Sequence, residues 1–180
     1  MLFTWRLRRQ LQRAQLHVTP TNGTAICGPA LGAFPTQDTP WGIVVDLGPL
    51  QVGQYREVVL PMKLAPDTTA PFLSATLEVV GDSAEERVSI EATDREPDGG
   101  ALSCEIARLR AAFVDCCTSI LVQDPKPSNG PDEPKIAALA RTLSSSDACG
   151  DEGVMAMLSD VTGRMTKALT GADRFQRWGR

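Results

Sequence analysis

The amino-acid sequence predicts an α+β protein: a small antiparallel β-sandwich of about six strands followed by a domain of three to four helices. Two periodicities carry that prediction. Apolar residues recur at every second position up to about residue 93, and at three- and four-residue spacing from Leu102 onward. Between them, Glu96-Pro97-Asp98-Gly99-Gly100 suits neither a strand nor a helix interior and marks the boundary. The expected divisions are an N-terminal amphipathic helix over 1–14, a β-sandwich over 15–95 and a helical domain over 101–180.

The first segment, MLFTWRLRRQLQRAQ, carries Arg6, Arg8, Arg9 and Arg13 with no acidic residue, and apolar Leu2, Phe3, Leu7 and Leu11. That composition is the pattern of a mitochondrial transit peptide or a membrane-surface helix, but the segment gives way at once to Leu16-His17-Val18 with no flexible spacer, so it is read first as a helix packed on neighbouring structure. Leu16 and Val18 then share one strand face, and Asn22-Gly23 favours a type I′ turn leading to a returning strand at Ala25-Ile26-Cys27. The sequon Asn22-Gly23-Thr24 is accounted for by that turn. Gly28 to Pro40, rich in Gly, Pro and Thr, is expected to be a loop. Ile43, Val45 and Leu47 define the next strand, and Trp41, opening it after a proline, is expected to cover the end of the core. Val58, Leu60 and Met62 share a face, with Pro61 placing that strand at an edge or a bulge because it lacks a donor N–H. Leu73, Ala75, Leu77 and Val79, then Val88, Ile90 and Ala92, complete the series, with Thr76 and Glu78 facing water.

Beyond the boundary, Leu102, Ile106, Leu109, Phe113, Cys116 and Ile120 form a helical stripe that requires a partner surface. Gln123 to Pro131 is a polar linker. Asp132 caps a second helix with Pro134 in its first turn and Ile136, Leu139 and Leu143 inside; Ser144-Ser145-Ser146-Asp147 ends it. A third helix carries Val154, Leu158, Val161, Met165 and Leu169, with Gly171 at the C′ position.

Composition limits function. A formal net charge of −4 leaves no basic surplus for phosphate neutralisation, so nucleic acid is not expected as a partner. No apolar run approaches the roughly 20 residues of a membrane span, so no stable membrane insertion is expected. The cysteines Cys27, Cys104, Cys116, Cys117 and Cys149 form no C-x-x-C pair and are expected to be reduced, mostly buried thiols, as in the cytoplasm. His17 is the single histidine and is expected to be a partly exposed strand residue. A hydrolytic site in the Gly28–Pro40 loop would need His17 beside a cysteine or carboxylate in a deep pocket. Glu85-Glu86 lies in a turn, and Met155, Met157 and Met165 are expected to fill a core or interface. Neither a zinc ligand set nor a phosphate loop is written in the chain. No catalytic, metal or cofactor residue is therefore expected.

Three stretches carry a family resemblance. Thr19-Pro20-Thr21-Asn22-Gly23, and Trp41-Gly42 followed by Val45–Arg56 (VDLGPLQVGQYR, including Leu47 and Gly48), resemble the β-rich region after the von Willebrand factor A (VWA) domain in fungal and related VWA/Hedgehog–intein proteins. Plant RING-finger ligases with a VWA domain have a similar region. Leu158–Arg180 (LSDVTGRMTKALTGADRFQRWGR) resembles the Vwaint domain that follows, and its Asp160, Gly163 and Trp178-Gly179 are not demanded by helical periodicity. The similarity covers most of the chain from about residue 15. It implies a fragment without the VWA domain, with 1–14 the remnant of that domain's closing helix and a truncation at Arg180. The metal-binding Asp-x-Ser-x-Ser loop, a RING or U-box set and an intein block are all missing from the sequence. The implied function is a non-catalytic scaffold or protein-interaction module with a protein partner. Two alternatives stand beside it: an organelle- or membrane-directed protein led by the Arg-rich helix, and an accessory part of a ubiquitin-ligase-like VWA protein.

Overall fold

The computed structural model describes residues 13–49, 56–80, 85–92, 100–122 and 133–169. The fold class is α+β, with strands and helices segregated along the chain into two units, Met1–Arg95 and Glu96–Arg180.

In the first unit, β1 (Arg13–Pro20), β3 (Thr36–Thr39), β4 (Gly42–Gly48), β6 (Leu73–Val80) and β7 (Glu85–Ala92) form an antiparallel sheet in the order β3-β4-β1-β6-β7. Two short strands, β2 (Ala25–Ile26) and β5 (Met62–Lys63), pair with each other. The period-2 pattern explains which face is buried. Ala14 and Val18 of β1, Ile43, Val45 and Leu47 of β4 and Ala75 of β6 are all buried in one cluster. Ile26, Phe34, Val58 and Leu60 pack on that cluster from outside the main sheet, so the second layer is a thin ribbon with loop residues. Each fully buried valine contributes roughly 1.5–3 kcal/mol.

Four expectations change in this unit. Arg13 and Ala14, placed at the end of the amphipathic helix, belong to β1, and Ala14 is fully buried; residues 1–12 lie outside the described part. The Asn22-Gly23 turn forms, with φ of +50° and +77° and Thr24 N–H donating to Thr21 O at 2.9 Å. Its returning strand nevertheless leaves the sheet, because both edges of β1 are occupied by β4 and β6. Asn22 Nδ2 instead donates to the carbonyls of Thr69 and Pro71, and Thr24 Oγ1, the buried hydroxyl of the turn, reaches Phe72 O at 2.6 Å. The expected loop Gly28–Pro40 contains β3, a polar edge strand paired with β4 from Thr36↔Val45 to Thr39↔Gly42. Finally, the Val58–Met62 strand survives only as Met62–Lys63, with Val59 bridging Leu31 and Pro61 O accepting from Cys27 N–H. Pro61, without a donor, interrupts the ladder.

The second unit holds α1 (Gly100–Val122), α2 (Glu133–Ser145), α3 (Glu152–Ser159), a π-helical turn (Asp160–Met165) and α4 (Thr166–Leu169). Its core joins Leu109 and Ile120 of α1, Ile136, Leu139 and Leu143 of α2, then Ala148, Val154 and Val161. The stripe on α1 is buried as expected except at its start, where Leu102 is half exposed. Asp151 caps α3 by accepting from the N–H groups of Gly153 and Val154 at 2.9 and 3.1 Å. Val161 O accepts the Thr166 hydroxyl at 2.9 Å across the widened turn. Asp132 and Gly171, expected at helix ends, lie outside the described residues.

Glu105 ties α1 to the end of α2. It accepts two bonds of 2.7 Å from the Arg108 guanidinium and one of 2.8 Å from the Ser146 hydroxyl. The Arg108 bonds, followed by the Ser146 bond, lower its pKa from 4.5 to about 2. A folded value below the unfolded one adds stability that is complete above about pH 4.5 and is lost as pH falls toward about 2. The pair is partly exposed, so solvent screening keeps the contribution small. Glu105→Gln is expected to destabilise the helical unit by about 0.5–1 kcal/mol at pH 7. It should also flatten the acid limb of the stability curve, as urea titrations at several pH values would read.

Candidate functional site

The site grows out of the turn between β3 and β4. Pro40 and Trp41 form that turn, and Gly42 follows with φ +151°, a conformation L side chains rarely adopt. A Cβ at Gly42 would stand 2.0 Å from the Val18 carbonyl oxygen, so backbone meets backbone there. Ile43, Val45 and Leu47 point into the core, and simple alternation would send Trp41 inward with them. The strained Gly42 breaks that parity. The Trp41 ring lies on the opposite face, stacked on His17 of β1 with centroids 5.6 Å apart and planes 6° from parallel. Trp41 is 43% exposed and takes no part in the core, contrary to the expected cap over the sandwich end.

His17 alternates outward between buried Val18 and half-buried Leu16, as the sequence indicates. Its Nε2 is shielded from water and lies 3.3 Å from Glu78 Oε2, a distance that suits an ion pair although the angles do not make a hydrogen bond. β1 and β6 place His17 opposite Thr76 and Gln15 opposite Glu78. The outcome is an exposed indole held by a ring beneath it, on a rigid strand. Offset-parallel aromatic pairs at such separations are worth about 0.5–1.5 kcal/mol beyond area burial.

The other residues of the sequence-predicted set do not join this site. Leu47 is buried in the core, and Gly48, at φ +66°, donates its N–H to Asp46 Oδ1 at 2.9 Å with open space around it. Arg56 is exposed beyond β4. Asp160 and Gly163 both fall on the π-helical turn, where Asp160 pairs with exposed Arg164 at 3.3 Å. Trp178 and Gly179 lie outside the described residues.

An open cleft of about 350 Å³ is lined by Pro20, Ile26, Asp38, Thr39, Gly42 and Ile43, among others. His17 does not line it. All five cysteines are thiols, three of them exposed rather than buried as expected: Cys27, Cys104 and Cys149. The Cys117 thiol sits 4.0 Å from the Met165 sulfur, and burial pushes its pKa up, which disfavours the nucleophilic thiolate. Met157 and Met165 pack on the helical core, whereas Met155 is half exposed. Among the described residues no group of three or more His, Cys, Asp or Glu side chains is placed to hold a metal ion. Among the same residues no helix is long and apolar enough to cross a membrane.

Sequence reasoning noticed Trp41 and His17 separately and missed their pairing. The parity break at Gly42 was the missing link, and a glycine directly after a turn aromatic was its one visible signal. Compared with protein-family models, curated proteins and solved structures, the chain gives no match.

Proposed function

We propose that this chain is a non-catalytic scaffold or protein-interaction module working in the cytoplasm, with Trp41 as the anchor for a protein partner. The reading is the one implied by the resemblance to the post-VWA and Vwaint regions. The observation that supports it is the indole of Trp41, 43% exposed yet stacked on His17 and positioned by a glycine that nothing else can replace. A tryptophan costs stability little when exposed and gains much when a partner covers it, and such residues dominate the energetics of protein interfaces. Pre-stacking removes part of the ordering cost that binding otherwise incurs.

Trp41→Ala separates binding from folding. Because the ring is outside the core, its loss should cost the β unit only about 1 kcal/mol. Partner affinity should fall about 30-fold or more, the size of an interface hot spot. Affinity purification of the tagged chain at natural expression levels, alongside the variant, provides the comparison. Recovery of no protein partner, or of the same partners by the folded variant, would contradict the reading.

A further inference from the structure

We propose that the cleft beside the β3–β4 turn is a binding site for an organic cation with N–H donors on a short aliphatic stem, such as an alkylguanidinium or alkylammonium group. Asp38 supplies the charge in its lining. In the ladder Asp38 stands directly opposite Ile43, and facing residues of an antiparallel pair share one face of the sheet. That face carries buried Ile43 and Val45 on β4 and is apolar there. A carboxylate at this parity adds nothing to the core. Near the end of its strand Asp38 is exposed, and it borders the cleft instead.

The rest of the lining decides the sign and shape of the ligand. Thr24 Oγ1 lies 2.8 Å from Thr21 O and 2.6 Å from Phe72 O, and Thr39 Oγ1 lies 3.0 Å from Gly42 O. Both hydroxyl protons are therefore committed to backbone carbonyls, and a carboxylate only accepts. No side chain of the lining has a proton to give an anion, whereas a cation meets Asp38 and can form charge-assisted hydrogen bonds, the stronger kind. Pro20, Ile26 and Ile43 add apolar wall, along which an aliphatic stem can lie as the stems of lysine and arginine do. At about 350 Å³ the cleft falls at the small end of the roughly 300–1,000 Å³ of ligand sites, which suits one head group with its stem. Trp41 does not line the cleft, so this site stands apart from the partner anchor.

Titration of the full chain with n-butylguanidinium at pH 7, followed by amide chemical shifts, tests the proposal. Saturable shifts should appear at Asp38, Thr39 and Gly42 and from Thr24 to Gly28, with a Kd of about 1 mM, ordinary for so small a ligand. Neutral n-butylurea, of the same shape, should bind about tenfold more weakly or worse, and so should n-butylguanidinium to Asp38→Asn. Asp67→Asn makes the same charge change at an exposed residue outside the lining and should leave binding unaltered. Acetylated, amidated arginine carries the same head group on a peptide backbone. If it binds more tightly than n-butylguanidinium, the site takes a protein side chain; if more weakly, a free small cation. An inward charge also discourages further pairing at the end of a sheet. Absence of saturable shifts would leave Asp38 that protective role alone and overturn the proposal. Equal binding of n-butylurea would overturn it too, and that comparison needs no variant.

Discussion

Gly42→Ala is expected to destroy the β unit. The added methyl would lie 2.0 Å from the Val18 carbonyl oxygen and 3.1 Å from Thr19 Cα, both backbone atoms of the central strand. No rotamer can relieve such a contact; β1 and β4 would have to separate, and the Val18↔Ile43 register that holds the core would go with them. Backbone strain at φ +151° adds to the clash. The combined cost should reach at least ~3 kcal/mol, a large share of the stability of a small domain. Gly48→Ala is the control, since Gly48 also has positive φ, +66°, but nothing lies within 4 Å of its added Cβ. It should cost only about 1 kcal/mol, the conformational term alone. Urea unfolding of both variants, followed by far-ultraviolet circular dichroism, distinguishes collision from conformation. Equal losses would show that the close approach at Val18 is not real.

Leu109→Ala should produce the second large effect, in the other unit. Leu109 is completely buried at the centre of the helical core, beside Leu143 and Val154. Leucine-to-alanine changes at such positions cost about 2–5 kcal/mol, because the cavity left behind collapses only partly. The loss should fall on the helical unit. Amide hydrogen exchange read by mass spectrometry should show protection lost in α1, α2 and α3, with β1 and β4 retaining theirs. Simultaneous loss of protection in both units would show that they unfold as one.

How much of this was legible depended on whether a side chain's role was local. Ile43, Val45 and Leu47 alternate with Val44 and Asp46 and are buried while those two are only half-buried, because a strand with one face on a core sorts its residues by parity. Leu109, Ile136, Leu139, Leu143 and Val154 followed the helical period for the same reason. β3 was hidden because an edge strand with the sequence Thr-Gln-Asp-Thr between two prolines carries loop chemistry; its pairing with β4 comes from position. Pairing partners were also out of reach. Asn22-Gly23 announces a turn, but the occupation of both edges of β1 by distant strands redirects the chain that follows. The π-helical turn at Asp160–Met165 was invisible because Val161 and Met165 satisfy helical spacing with or without it. Trp41 was misplaced by the rule that served its neighbours best. Alternation assigns it to the core, and one glycine with a positive φ turns it outward onto His17.

The same parity break makes Trp41 available to a partner, and the proposed role stands on it. The most direct measurement replaces Trp41 with a photo-crosslinking phenylalanine analogue in the full chain and irradiates cells that express it. Val114 in the helical unit, 42% exposed against 43% for Trp41, is the matched control position. Position 41 should yield a discrete crosslinked protein, and position 114 should yield none or a different one. A blank at position 41 with crosslinks confined to position 114 would move the interaction to the helices and contradict the account.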